Sequence, residues 1–216
     1  MPEPSVTNSS RRLEVVVWGA LILTVLVIAG AFIYKRLQPE PLSLPVISPV
    51  GEFTLTNQFG KTVSAADFRG SPWLANIIFT QCAGPCPTMT KAMKRLQDAT
   101  NPRIRLVTLT TDPDHDSPEI LKRYGEKYGA DFRRWSFLTG TKQQLGRLAV
   151  GGLKLTAQEK PTAERESPVD LFIHSTMFVL IDQNGNLRAA FELDDPDLSS
   201  KVVRATRALL KAPASP

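Results

Sequence analysis

Apolar and polar positions divide the chain into three textures. From Val15 to Tyr34, twenty consecutive residues carry no charge. As a helix rising about 1.5 Å per residue, that run spans about 30 Å, the thickness of a hydrocarbon core. Leu37 to Val50 shows no period and carries Pro39, Pro41, Pro45 and Pro49, which predicts a stiff extended spacer. Beyond Gly51, short apolar runs alternate with helical patterns, the texture of a packed α/β domain.

Within that domain Phe53–Thr56 and Lys61–Val63 read as short strands, and Asp67–Gly70 ends a helical turn. Trp73–Phe79 is an apolar core strand, followed by a helix with Met89, Met93 and Leu96 on one face. Ile104–Leu109 is a second buried strand. A capping box, Asp116-Ser117-Pro118-Glu119, starts a helix reaching Lys127. Trp135–Leu138 is a strand, Thr141–Val150 a helix and Leu153–Thr156 a further short strand. Gln158–Pro168 is polar and aperiodic, hence a loop. Phe172–Ile181 is a strand, Asp182–Asn186 a turn and Leu187–Phe191 the returning strand. Asp195 and Pro196 open a last helix with Leu198, Val202, Ala205 and Leu209 as its apolar stripe. The order predicts a thioredoxin-like α/β domain whose site lies at the C-terminal end of the first core strand.

Charge changes little. The 216 residues carry a net +5, but Arg11, Arg12, Lys35 and Arg36 only flank the apolar segment. No basic block with interleaved aromatics follows, which excludes nucleic-acid binding. Ala29-Gly30-Ala31 resembles a cleavage site, yet the apolar run continues past it, so an uncleaved anchor is preferred. The flanking charges tie; a short cytoplasmic tail and a dithiol domain favour export of the C-terminal part. The expected organisation is a tail (1–12), a transmembrane anchor (13–36), a Pro-rich linker (37–50), the domain (51–211) and a frayed tail (212–216). The expected place is a bacterial inner membrane, single-pass, with the domain facing the periplasm.

Both cysteines of the chain, Cys82 and Cys86, fall at the junction of the first core strand and its helix. A helix N-terminus presents unpaired N–H groups and favours thiolate over thiol. At a spacing of four on one helical face, the Cα atoms would lie about 6 Å apart, close enough for a disulfide or a shared metal ion. Two buried structural cysteines remain the plain alternative. The loop Thr110–Asp116 is no calcium loop: it lacks Gly at the sixth place, and Arg123 stands at the twelfth. His115 in that loop is expected to face solvent. His174, opening the hairpin strand, is the better nitrogen donor for the dithiol.

Phe79-Thr80, Cys82-x-x-x-Cys86-Pro87, Asp112-Pro113, Leu138-Thr139-Gly140-Thr141 and His174-Ser175-Thr176 leading to Leu180-Ile181-Asp182 occur in that order. From Phe53 to about Phe191 the chain therefore resembles the Sco/SenC family, membrane-tethered thioredoxin-fold copper chaperones of cytochrome c oxidase assembly. The resemblance implies that Cys82, Cys86 and His174 bind copper as Cu(I) or Cu(II), for a respiratory oxidase subunit or another copper protein. Two soft thiolates and an imidazole suit that ion, whereas structural zinc wants a closed set of four. Asp112 is expected beside the site as a charge tuner or, equally, as a turn residue. The family's usual proline after the first cysteine is Ala83 here. The alternatives are a tethered thiol–disulfide oxidoreductase with Cys82 attacking and Cys86 resolving, a peroxidase, and a binding module with a structural disulfide. Thr80 stands two residues before Cys82, where a peroxiredoxin wants threonine at three.

Overall fold

The computed structural model describes residues 8–37, 42–159 and 172–211, with side chains described over 14–34, 42–156 and 175–211. The chain divides into two units, residues 1–41 and 42–216. In the first, helix α1 (Asn8–Leu37) contains Glu14–Tyr34, a stretch of 21 residues apolar and long enough to cross a membrane. Every described side chain of α1 is exposed, so no protein core covers that surface among the described residues.

The second unit is built on alternation across one sheet. Parallel strands β4 (Trp73–Ile78), β5 (Arg105–Thr110) and β6 (Trp135–Thr139) are linked by helices α2 (Cys86–Ala99) and α3 (Pro118–Lys127). The hairpin β9 (Met177–Ile181) and β10 (Asn186–Glu192) adds antiparallel to β4, and helix α5 (Leu198–Lys211) follows. On the far edge β2 (Thr54–Asn57) joins β6 and pairs with β3 (Thr62–Ser64). This is the thioredoxin-like arrangement.

Successive residues of β4 face opposite sides. Leu74 and Ile78 pack beneath α2 and α5, with Met89, Met93, Leu96, Val202 and Leu209. Trp73, Ala75 and Ile77 face the other layer, with Leu145, Leu148, Leu153 and Leu155. Each large apolar side chain so buried stabilises the fold by about 1.5–3 kcal/mol. The strand reads as continuously apolar because both of its faces are covered.

Four local expectations differ from what is found. The stretch 172–181 is two strands: β8 (Phe172–His174) breaks at Ser175-Thr176 before β9 begins. Among the described residues β8 pairs only with β7 (Ala157–Glu159), as a separate two-stranded ribbon. Leu153–Thr156 is not a strand. Helix α4 (Lys142–Gly146) widens into a π-helical turn over Arg147–Gly152, and Lys154 takes a left-handed φ of 59° while Leu153 and Leu155 plug the core. Of the polar insertion expected as a loop over Gln158–Pro168, Gln158 and Glu159 belong to β7, and residues 160–168 lie outside the described residues.

The third difference is in the proline-rich stretch. Strand β1 (Ser48–Pro49) pairs with β10, Ile47 N–H donates to Leu187 O at 2.9 Å, and Val50 N–H to Gly185 O at 2.9 Å. Arg188 donates to the Leu44 and Pro45 carbonyls while bonding buried Asp182 at 2.6 Å. Prolines are tolerated there because β1 is an edge strand, with one side that needs no N–H donor. The fourth is the start of α3. Ser117, not Asp116, is its N-cap, accepting from Ile120 N–H at 3.4 Å and donating to Glu119 at 2.9 Å.

Candidate metal centre

β4 delivers the chain to the rim of the sheet, and a turn there reverses it into α2. Cys82 N–H closes that turn on Phe79 O at 3.3 Å. Cys82 is half-buried, Gln81 and Ala83–Pro85 are exposed, and Cys86 is fully buried as the first residue of α2. Pro85 and Pro87 suit this start, because the first turn of a helix has no intrahelical use for their missing N–H groups. The pair is therefore not an i, i+4 pair on one helical face, as the spacing suggested. One sulfur sits on the loop and one on the helix, and they still meet.

Both residues are thiols. Hydrogen bonding with Cys82 and burial push the Cys86 thiol far above its ordinary range; the Phe79 and Cys86 N–H groups pull the other way and lose. The helix terminus expected to favour thiolate is thus overridden at Cys86, where desolvation and a neighbouring sulfur both oppose a bare charge. A cation brought between the two sulfurs would reverse that balance, since thiolate is the ligand form. The donor set fits a soft, low-coordinate metal ion: two adjacent sulfurs, one reachable from solvent. Below them Thr90 donates to the Cys86 carbonyl at 2.9 Å and lies 2.8 Å from the Tyr124 hydroxyl, filling the polar gap under α2.

Asp112, 8 % exposed, lies just past the end of β5, two residues beyond Thr110, the partner of Ile78 in β4. Its backbone carries the turn, with its N–H donating to Thr110 Oγ1 at 2.9 Å and its carbonyl accepting from Asp116 N–H at 2.8 Å. His115 is exposed, as expected, and its neighbour Asp114 pairs with Lys142 at 2.6 Å. His174 closes β8 with its backbone opposite Ala157; its side chain lies outside the described residues. The structure thus brings Cys82 and Cys86 together, sets Asp112 at the same end of the sheet, and places His174 on the β7–β8 ribbon.

Sequence reasoning assigned Asp116 to a helix cap and so missed what it does. Its side chain is fully buried and accepts from Thr80 N–H at 3.1 Å, from the Thr80 hydroxyl and from the Thr110 hydroxyl. Burial, only partly offset by those hydrogen bonds, holds its carboxyl above the usual carboxylate range. A usable signal was present: Ser117 alone can cap the helix, which leaves the adjacent aspartate for another task.

The fold has counterparts among known proteins. The family model described as SCO1/SenC matches residues 46–211. A protein of Bacillus subtilis named SCO1 protein homolog is 36% identical over 147 residues, 66% of this chain and 73% of that one. A protein of Stutzerimonas stutzeri, named for copper binding, is 31% identical over 156 residues, 70% of this chain and 72% of that one. The solved structure of BsSco, described as having a disulfide switch and as a member of the Sco family of cytochrome c oxidase assembly proteins, has a TM-score of 0.68. It shares 27% identity and covers 80% of this chain and 100% of that one. The chain belongs to the SCO1/SenC family.

Proposed function

We propose that this protein is a membrane-tethered copper carrier that takes copper as cargo through Cys82, Cys86 and His174 and supplies it to a respiratory copper site. The observation that supports this most is the meeting of the two sulfurs at the rim of the sheet, one half-exposed and one buried. Bound copper would accept electron density from both thiolates and permit an open coordination position through which it is handed on. Cys86 gives up its proton on loading, and its buried place keeps that thiolate from water. Cys82, on the solvent side of the turn, is the sulfur a recipient reaches first. His174 completes the set as a neutral imidazole. α1 anchors the protein in the inner membrane, with residues from about Leu37 onward as the exported part.

A second reading is favoured by the asymmetry of the pair. A half-exposed Cys82 and a buried Cys86 with a raised pKa are placed as an attacking and a resolving thiol, so the protein would prepare the thiols of a recipient by reducing them. Metal analysis of purified protein separates the two. About one copper per chain in the reduced form and essentially none in the Cys82–Cys86 disulfide supports the carrier. Turnover on a disulfide substrate without copper uptake supports the reductase. Equal copper uptake by both forms would move the metal away from the cysteines.

A further inference from the structure

A buried carboxylate without a cation needs a reason to be there, because taking charge out of water is costly. Among the described residues no lysine, arginine or histidine forms an ion pair with Asp116. What surrounds it instead is a set of donors from two neighbouring strand ends. Thr80, two residues past β4, offers both its N–H and its hydroxyl, and Thr110, the last residue of β5, offers its hydroxyl. The Asp116 N–H is itself held by the Asp112 carbonyl at 2.8 Å, so the carboxylate is fixed from behind by the loop that starts α3.

The position of Thr80 makes the clamp more than a general brace. The turn that carries Cys82 is closed by its N–H on Phe79 O, which puts Thr80 and Gln81 at the two central positions. Gln81 is exposed, so of these two central residues it is Thr80 that carries contacts inward. A carboxylate is suited to this task because it only accepts, and can serve three donors at once. The structure thus links Asp116 to the sulfur of Cys82 through one backbone turn, while Cys86 is fixed separately by α2 and the core. We infer that Asp116 is a positioning residue, acting through Thr80 to hold Cys82 against Cys86 for metal capture and disulfide closure. The inference rests on the copper-carrier reading for its metal arm only.

The test compares Thr80→Val with Thr110→Val in the full-length protein, alongside Asp116→Ala and Asp116→Asn. Both valines delete one hydroxyl from the same carboxylate, but only Thr80 lies on the cysteine turn. Copper-free protein is equilibrated with glutathione and glutathione disulfide; the dithiol gives two electrons and two protons, forming Cys82–Cys86 and two glutathione thiols. Thr80→Val should shift this equilibrium toward the dithiol by about fivefold, the size of one net hydrogen bond, and Asp116→Ala by about tenfold. Thr110→Val should stay within about twofold of wild type while lowering the melting temperature. Asp116→Asn should recover most of the wild-type value, since the amide oxygen can take the Thr80 N–H and the hydroxyl can turn to accept from the amide nitrogen. The same ranking should appear in copper affinity and in the position of the Cu(II)–thiolate band. Equal shifts for the two valines, or an Asp116→Asn protein as impaired as Asp116→Ala, would overturn the inference. Absence of copper binding by wild type would overturn the carrier reading and leave the glutathione result to decide this one.

Discussion

The cysteine turn and the β7–β8 ribbon hold the two halves of the proposed site in opposite ways. The turn is bolted to the core. Phe79 before it and Cys86 after it are buried, a buried carboxylate grips Thr80, and α2 leads straight into Met89 and Met93. The ribbon carrying His174 pairs, among the described residues, only with itself. Its base is tied by Ser175 N–H to Thr156 O at 3.0 Å, Thr156 N–H to Ser175 Oγ at 2.7 Å, and Leu193 N–H to Thr176 O at 3.0 Å. The difference teaches that the sulfur half is preorganised at the expense of folding energy, whereas the described backbone of the nitrogen half forms a sheet of its own, joined to the fold at the Thr156–Ser175 base. The proposed carrier must both capture and release, and a preorganised sulfur half beside a separate ribbon suits that.

Hydrogen exchange gives the largest contrast. Amides of β4 and β5 should open only with global unfolding, typically about 5–15 kcal/mol, so their protection should exceed that of β7–β8 by about a thousandfold or more. Equal protection would make the ribbon part of the core and end the comparison.

Next in size are the ligand replacements. Cys82→Ser or Cys86→Ser should weaken copper binding by more than about 100-fold, beyond the range for residues that only support ligands. The Cu(II)–thiolate band should vanish in either variant. His174→Ala should cost about tenfold for Cu(I), which two thiolates can hold, and more for Cu(II), which prefers imidazole. Competition titration against a chelator of known affinity reads both. A His174→Ala protein as weak as Cys86→Ser would mean that the ribbon is no less essential than the turn.

A pH series sharpens the fixed half. The folded Cys86 pKa lies above the unfolded thiol value, so the native state holds that proton more tightly. The resulting stability is fully present below about pH 8.5 and is lost as pH rises further, at up to about 1.4 kcal/mol per pH unit. Denaturant melts of reduced, copper-free protein should show this loss, and Cys86→Ser should flatten it. Copper affinity should run the other way, rising with pH, because loading displaces the same proton. The smallest effect is expected from His115→Ala, which removes an exposed loop side chain: copper affinity should stay within about twofold of wild type.

Much of the molecule was legible because it depends on short-range pattern. Trp73–Phe79, the Met89/Met93/Leu96 face and the Leu198/Val202/Ala205/Leu209 stripe announce β4, α2 and α5 through periods that any packed α/β layer imposes. The glycine turn at Gly185, with φ of 81°, ends β9 where Asn184-Gly185 says it should. The two cysteines are identified by being the only ones. The partners of Asp116 and Arg188 and the break at Ser175-Thr176 were not legible, since each depends on residues far along the chain. Asp116 meets Thr80 across 36 residues and Arg188 meets Leu44 across 144. A local rule, the capping box, explained Asp116 well enough to hide its real partner. The sequence by itself settled the central strands and helices and where two thiols and a histidine stand along the chain. Only the tertiary structure decided that one thiol is on a loop and the other on the first turn of a helix, and that Cys86 is more reluctant to ionise than its helix end suggests. Burial and long-range hydrogen bonding are properties of the packed layers, and no window of neighbouring residues contains them.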